Sequence, residues 1–95
     1  MPELASLSIT REELRGLLGE PHFTETDSTR TFGGEEDAWA FTLDSGQRVL
    51  VVLRAPYRLA VIHADPPQLE PALHALHIRA DDARLQRYPA AHETA

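Results

Sequence analysis

Three residue types are absent from this sequence: cysteine, lysine and asparagine. Without cysteine there is no disulfide, no thiolate metal site and no cysteine nucleophile. Without lysine there is no Schiff-base residue and no lysine for a phosphate-binding loop. No apolar run approaches the roughly 18 residues that cross a bilayer, and the N-terminus lacks the basic and apolar segments of a secretory signal. We therefore expect a cytoplasmic protein with no membrane partner.

Charge is unevenly distributed along the 95 residues, whose formal net charge at pH 7 is −6. A chain of this length is sized for one domain, and its acidic balance argues against binding to nucleic acid. Six acidic residues lie between residues 21 and 46 with Arg30 as the one cation, whereas residues 47–64 hold three arginines and no acid. Such asymmetry steers a charged partner. Mutual neutralisation of neighbouring strands is the alternative explanation.

A helix is predicted over residues 11–18. Thr10 and Glu13 form a capping box, in which each side chain satisfies the other residue's amide. Gly19 provides a left-handed C-terminal residue, and Pro21 prevents the helix from continuing. The apolar stripe of this helix consists of Leu14, Leu17 and Leu18.

Four strands are predicted after this helix. Residues 23–32 are rich in threonine and charge, which suits an edge strand. Residues 38–43 alternate, residues 44–47 form a tight turn, and residues 49–53 are apolar on both faces, as in a central strand. Residues 57–63 form the last of the four. The side chains that share a face are Trp39, Phe41 and Leu43 in the second strand, and Tyr57, Leu59 and Val61 in the fourth.

A second helix is predicted to begin between residues 67 and 71, with Asp65 as a candidate cap. Its core-facing residues are Leu69, Leu73 and Leu76. One more turn or a short strand follows near Leu85, and we expect residues 1–8 and 89–95 to be frayed termini. The whole chain, residues 1–95, then forms a single α+β domain. Its architecture is a two-layer sandwich: an antiparallel sheet of about four strands, with both helices on one face.

Two groups of polar residues have side chains that support chemistry. Glu70, His74 and His77 recur at helical spacing, as metal ligands on a helix do, and an ordinary solvent-facing flank is the alternative. His63 precedes Asp65 and suits an acid–base pair, and a polar strand end is the alternative. The sequence does not decide whether these three histidines have a role.

The remaining polar runs do not match a catalytic pattern. The carboxylate runs at residues 35–37 and 81–82 lack the strand-end spacing of a metal nuclease. Ser45-Gly46 lacks the frame of a nucleophile elbow, and Gly33-Gly34 lacks the rest of a phosphate loop. We therefore predict no catalytic residue, no cofactor and no bound metal, so that the chain is not an enzyme. A small metal-dependent enzyme is the least favoured alternative.

A frame of helix and strand residues is similar to that of two small α+β families. Leu14, Leu17 and Leu18 precede Gly19-Glu20-Pro21, and Trp39-Ala40-Phe41 follows after a polar stretch. This frame resembles the repeat of β-lactamase inhibitory protein and the small outer-membrane assembly lipoprotein, where a helix ends in glycine-x-proline and a later strand carries tryptophan-x-aromatic. The resemblance implies a shared scaffold. The chain lacks the lipoprotein's lipidation cysteine and the inhibitor's tandem repeat and disulfides.

In size, acidity and lack of a catalytic set, the whole chain resembles the small acidic immunity proteins of bacterial polymorphic toxin systems. The resemblance implies a tight complex with a cognate toxin whose active site is blocked. We therefore expect a non-catalytic protein-binding module that meets a basic toxin domain through charge complementarity. The predicted partner-binding residues are Glu25, Asp27, Glu35, Glu36, Asp37 and Asp44. A homodimeric domain of structural type, which pairs through its exposed sheet face or an edge strand, is the alternative.

Overall fold

The computed structural model describes residues 2–26, 35–54 and 58–88. The strands are β1 (Glu3–Ser8), β2 (Phe23–Thr26), β3 (Glu35–Thr42), β4 (Arg48–Arg54), β5 (Leu59–Asp65) and β6 (Leu85–Arg87). The helices are α1 (Arg11–Leu18) and α2 (Leu69–Ala75). The strands pair antiparallel in one sheet, which confirms the predicted α+β class and the antiparallel sheet.

The strand order in the sheet is β2-β3-β4-β5-β1-β6. The strands from β2 to β5 follow one another as a meander, because short connections between neighbours favour antiparallel pairing. β1 lies between β5 and β6 and pairs with both, so it joins β6 to the rest of the sheet. β4 lies inside the sheet between β3 and β5, which confirms its predicted central position. β6 is a three-residue edge strand.

Two predictions about the sheet are wrong: the count of about four strands, and the frayed segment at residues 1–8. This segment contains β1, in which Ala5 and Leu7 are buried. Ala5, Leu7 and Ile9 alternate and all enter the core, but the small residues between them weaken the apolar signal. β6 is too short to show a period of two. The predicted frayed tail at residues 89–95 lies outside the described residues.

The other strands agree with the predictions in position and differ at their ends. β2 takes up the first part of the predicted strand at residues 23–32, of which residues 27–32 lie outside the described part of the chain. β4 contains all of residues 49–53. β5 begins at Leu59, and Tyr57 is not among the described residues. The residues that β5 contributes to the core are Ala60, Ile62 and Ala64.

One face of the sheet, which we call the inner face, forms the core of the protein. Its central row consists of the cross-strand partners Ala5, Ile62, Val51 and Trp39, and all four are buried. The side chains that the two helices bury join the same apolar cluster: Leu14, Ala72, Leu73 and Leu76. The buried side chains of both helices are therefore part of the same core as the inner face.

The helix α1 contacts the core with a stripe that differs from the prediction. Leu14 is buried and Leu18 packs against the core, but Leu17 is 40% exposed. The side chains of Arg11 and Arg15 reach a carboxylate on the inner face of β3. Positions i, i+3, i+4 and i+7 share one side of a helix, so these arginines, Leu14 and Leu18 face the sheet together. Leu17 falls outside this stripe.

Both ends of α1 follow the predicted chemistry. At the start, the Thr10 hydroxyl oxygen accepts a hydrogen bond from the backbone N–H of Glu13 at 3.2 Å. At the end, the Gly19 N–H donates to the Arg15 carbonyl at 2.8 Å, and Gly19 has a φ of +82°, which residues with a side chain rarely adopt. The Gly19 carbonyl accepts a hydrogen bond from Nε1 of the buried Trp39 at 3.0 Å. The tryptophan therefore ties the end of α1 to β3.

The helix α2 begins at Leu69, inside the predicted window of residues 67–71. Its N-cap is Gln68, which makes no side-chain capping bond. Asp65 was the predicted cap, but its carboxylate accepts a hydrogen bond from Arg48 at 2.7 Å instead. An aspartate that ends a strand beside an arginine on the neighbouring strand has a stronger partner than a distant amide.

A Schellman motif ends α2. The Ile78 N–H donates to the Leu73 carbonyl at 2.9 Å, and the His77 N–H donates to the His74 carbonyl at 3.2 Å. His77 adopts a φ of +59°, at a position where glycine is usual. Ile78 and Leu73 are both buried, which is the apolar contact of this motif. Among the described residues, no helix has the length and apolar character of a membrane span.

Candidate functional site

The face of the sheet opposite the core, which we call the outer face, carries a continuous apolar row. Phe23 pairs with Ala38, Ala38 pairs with Val52, and Val52 pairs with Val61. Direct cross-strand partners present their side chains on the same face, so the row crosses four strands. A second row of partners lies beside it: Ala40, Leu50 and His63.

Solvent reaches the apolar side chains of the outer face. Phe23 is 64% exposed, and Leu59, on the same face of β5, is 48% exposed. Leu50, Val52 and Val61 are half-buried. The outward positions of an antiparallel sheet with one solvated face are normally polar. A contiguous exposed apolar patch indicates an interaction site, which makes the outer face the candidate site of this protein.

The sequence of β4 shows how this surface arises. Its residues Val49, Val51 and Leu53 are buried in the core, and the alternate residues Leu50 and Val52 lie on the outer face. A strand that is apolar on both sides is typical of a sheet covered on both faces. In the part of the chain that the structure describes, both helices add their buried side chains to the core on the inner face. The outer residues of β4 remain half-buried.

The outer face has a ridge and a valley that lie side by side. The ridge is formed by Leu50 and Val52 on β4. The valley is formed by their direct cross-strand partners on β3, Ala40 and Ala38. Because an alanine side chain ends at Cβ, the surface steps down between these two strands. The apolar area therefore has relief of its own, which a partner's surface has to match.

Polar groups border the apolar rows. At one end, Arg48 Nη2 donates to Asp65 Oδ2 at 2.7 Å, so that these two charges neutralise each other. Towards β1 and β6, the row continues from Val61 to Ser6, which is buried, and then to Gln86, which is exposed. An apolar centre with a polar rim is the usual anatomy of a protein–protein interface.

Asp37, one of the predicted partner-binding residues, is completely buried. Its two carboxylate oxygens accept hydrogen bonds from Arg11 Nε at 2.6 Å and Arg11 Nη2 at 2.9 Å, and Arg15 Nη2 lies 3.5 Å away. The expectation that Asp37 presents its charge to a partner is therefore corrected. In β3 it alternates with the outer residues and lies on the inner face, where its charge anchors α1.

The other predicted acidic residues do not form a single described surface. Glu36 is half-buried on the outer face at one end of β3, and Asp44 is exposed in the turn beyond the other end. Glu25 in β2 pairs with Glu36, and Glu35 is the first residue of β3. Asp27 lies outside the described residues. The two acids whose side chains the structure describes are thus separated by the length of β3.

The histidines that are candidates for chemistry lie in two separate places. Glu70, His74 and His77 are exposed, and they line a shallow groove of about 590 Å³ beside α2. Within residues 2–26, 35–54 and 58–88, no three His, Asp or Glu side chains are placed to hold a metal ion. His63 is half-buried on the outer face, and the carboxylate of Asp65 is bound to an arginine.

Arg84 organises a charged cluster between α1 and the turn before β6. Its Nη1 lies 2.9 Å from Glu13 Oε2, and its Nη2 lies 3.2 Å from Asp82 Oδ2. Hydrogen bonds from Arg84 hold the pKa of Glu13 and the pKa of Asp82 below their ordinary values. The two carboxylates in turn raise the pKa of Arg84, with Asp82 as the larger cause. This cluster fastens the helix to the turn before β6.

The outer-face residues were not predicted from the sequence, although a signal was present. Leu50 and Val52 alternate with core residues in β4, and Leu59 and Val61 do so in β5. Two adjacent strands that are apolar on both faces need a packing layer on each face. The sequence predicts two short helices, both on one face. Comparisons with protein families, curated proteins and solved structures found no match.

Proposed function

We propose that this chain is a non-catalytic protein-binding module whose contact surface is the outer face. The observation that carries the proposal is the apolar row from Phe23 to Val61, which is open to solvent on a sheet whose inner face is filled. Removing apolar area from water stabilises an assembly by roughly 25 cal/mol per Å². A partner that covers these rows gains this free energy.

A two-layer sandwich, with both helices on the inner face, is the frame that we propose for this module. Three observations support it. The buried leucines of both helices belong to the inner-face cluster. Arg11 of α1 bonds to Asp37 on the inner face of β3, and Trp39 bonds to the carbonyl of Gly19 at the end of α1. Helices on one side of a sheet leave its other side for a partner.

Neutralisation of a toxin domain is a second candidate function, favoured by the net charge of −6 and by the exposed carboxylate of Asp44. Charge complementarity of this kind speeds association with a basic partner. The test replaces Glu36 and Asp44 with arginine and measures the on-rate for a toxin-like domain encoded beside this gene, together with rescue of growth. An unchanged on-rate contradicts the acidic form of this function. Asp37 is left intact, because its carboxylate holds α1.

Site-specific photo-cross-linking in cells of the native host tests the outer-face proposal. A photoreactive side chain is placed at Val61, in the middle of the outer face, and in a separate variant at Leu17, which is exposed on α1. We expect one discrete cross-linked product from position 61 and none of that mass from position 17. The product should disappear when Val52→Arg is added beside the probe. Equal products from both positions, or none from position 61, would contradict the proposal.

A further inference from the structure

We infer that the partner of the outer face is a second copy of this chain. This inference rests on the proposed binding function and names its occupant. A two-fold dimer requires a surface that complements itself, because the same patch is used by both copies. The outer face meets this requirement, since its ridge (Leu50 and Val52) and its valley (Ala38 and Ala40) are adjacent.

The register of the strands indicates where the two-fold axis of the dimer lies. A two-fold axis that runs between β3 and β4, parallel to the strands, places β4 of each copy over β3 of the other. Val52 then fills the space above Ala38 of the second copy, and Leu50 fills the space above Ala40. The strands of two packed sheets usually cross at about 30°, which inclines the axis to the strands by about 15°. Such a rotation displaces pairs near the centre of the interface least, and these two pairs lie there.

The same axis covers the most exposed aromatic side chain of the outer face. β2 of one copy falls over β5 of the other, so Phe23 lies over Val61. Phe23 is 64% exposed in the single chain, and an aromatic side chain of this kind is a common anchor of an interface. The dimer therefore buries the whole apolar row, from Phe23 on β2 to Val61 on β5.

The area of the outer face suits a dimer of low affinity. The strands β3, β4 and β5 contribute about seven residues each, and the described part of β2 contributes four. At a strand spacing of about 4.8 Å and a rise of about 3.4 Å per residue, these residues cover roughly 400 Å². This projection lies below the roughly 600–800 Å² of accessible area per partner in stable interfaces, and side-chain relief raises it. We therefore expect a weak dimer, with a Kd in the micromolar range.

Pairing through the sheet edges is a weaker route to a dimer. Within the residues that the structure describes, the edge strands are β2, with four residues, and β6, with three. Short edge strands are one way in which proteins avoid edge-to-edge association. The outer face, in contrast, offers rows that cross four strands. The face rather than the edge is the surface that a second copy covers.

The salt dependence of binding distinguishes a second copy of this chain from a basic partner. Each copy carries a formal net charge of −6 at pH 7, so two copies repel each other over long range. Raising the salt concentration from about 0.01 M to about 0.1 M shortens the Debye length from about 30 Å to about 10 Å. The dimer should therefore become several-fold tighter with added salt. A complex with a basic toxin domain should become weaker, because screening removes its attraction.

Sedimentation equilibrium of the full chain measures the effect, from about 1 µM to about 1 mM, which brackets a micromolar Kd. Val52→Arg should raise the Kd at least about 100-fold, because the two-fold axis repeats the buried charge. Leu17→Arg is the matched control, a change from an exposed apolar residue to arginine on α1, and it should leave the Kd unchanged. Val52→Thr keeps the shape and β-propensity of valine but adds a hydroxyl group, so it should weaken the dimer without disturbing the fold. It provides the test if Val52→Arg does not fold.

A pair of variants tests the register of the interface. Ala38→Glu and Val52→Arg should each be monomeric, because each places an unpaired charge in the interface. In an equimolar mixture, the introduced carboxylate of one chain meets the introduced guanidinium of the other, and the remaining Ala38–Val52 contact is unchanged. We expect the mixture to form a dimer that neither variant forms alone. A mixture that stays monomeric contradicts this register.

The second copy and the binding function can fail separately. A wild-type chain that is monomeric at every concentration, or a dimer that Val52→Arg leaves intact, overturns the inference about the occupant. If position 61 then still cross-links to a different protein in cells, the outer face remains a binding surface with another partner. If position 61 gives no cross-link to itself or to another protein, the proposed function fails as well.

Discussion

Both faces of the sheet carry apolar rows, but the surroundings of these rows are very different. Val51 and Val52 are adjacent residues of β4, yet Val51 is 1% exposed and Val52 is half-buried. A period of two shows which residues share a face. It does not show whether that face is covered. Cover depends on what packs against that face, and the buried side chains of the two described helices belong to the same cluster as the inner face.

Arginine substitutions of these two valines should give the largest difference between the faces. Val51→Arg places an unpaired charge in the core and should destabilise the domain by more than about 4 kcal/mol. A domain of this size has a total stability of about 5–15 kcal/mol, so much of this variant should be unfolded. Val52→Arg should change stability by less than about 1 kcal/mol. Urea unfolding of both variants, followed by the fluorescence of Trp39, measures the difference.

The outcome that breaks this comparison is equal destabilisation by the two substitutions. It would mean that the outer residues of β4 are as tightly packed in the isolated chain as the inner residues. The measurement has to be made at a concentration well below the Kd of the dimer, because association adds to the apparent stability of the wild type.

The second largest difference is expected between the ion pairs of the two faces, in the stability that is lost when the arginine of each pair is removed. Arg11 bonds to the completely buried carboxylate of Asp37, whereas Arg48 and Asp65 form a pair in which both side chains are about half exposed. Arg11→Ala leaves a buried charge without its main partner and should destabilise by about 3–5 kcal/mol. Arg48→Ala should remove less than about 1 kcal/mol. Urea midpoints at pH 7 decide the order, and a smaller loss for Arg11→Ala would contradict the buried pair.

A change near α2, away from the outer face, should alter stability without altering association. His77 has a φ of +59°, and a left-handed conformation costs about 1 kcal/mol in residues other than glycine. His77→Gly should therefore stabilise the domain by roughly 1 kcal/mol, since glycine is the usual residue at this position. His74→Gly, inside the same helix, should destabilise it by about 1 kcal/mol. Thermal unfolding shows the two signs, and sedimentation should show no change in Kd.

The smallest effect is expected from the Arg84 cluster. Because Arg84 holds the pKa of Glu13 and of Asp82 below their ordinary values, the folded state binds these protons more weakly than the unfolded chain does. Their contribution to stability is complete above about pH 5 and is lost as the pH falls below about 4. Arg84→Met should flatten this part of the pH profile of the urea midpoint. A profile that is unchanged in shape would show that the cluster does not stabilise the fold.

Local chemistry explains which parts of the fold were predicted from the sequence. Thr10, Glu13 and Gly19 determine the ends of α1 by contacts within a few residues of each other, and the predicted helix coincides with the observed one. The turn at residues 44–47 contains Gly46, whose φ is +90°. Both features depend on neighbours in the chain, which a single sequence displays directly.

Contacts between distant residues explain the features that were missed. The sequence predicts Asp37 to lie on an acidic surface. Its bond to Arg11 is not visible in the sequence, because the two residues are far apart in the chain. Gln47 belongs to the predicted turn at residues 44–47, but it is buried and its Nε2 donates to the carbonyls of Pro66 and Gln68 at 2.9 and 2.8 Å. The exposure of Val52 likewise depends on where the helices pack. None of these contacts leaves a local pattern.

Protection of a single thiol tests the central claim, that the outer face is covered in the working protein. The chain has no cysteine, so Leu59→Cys and Leu17→Cys each introduce a unique reactive group. The two leucines are 48% and 40% exposed, Leu59 on the outer face and Leu17 on α1. The rate of alkylation in intact cells is divided by the rate in a dilute purified sample. We predict at least about tenfold protection at position 59 alone, as an interface that excludes water would give. Equal ratios at the two positions would contradict the account.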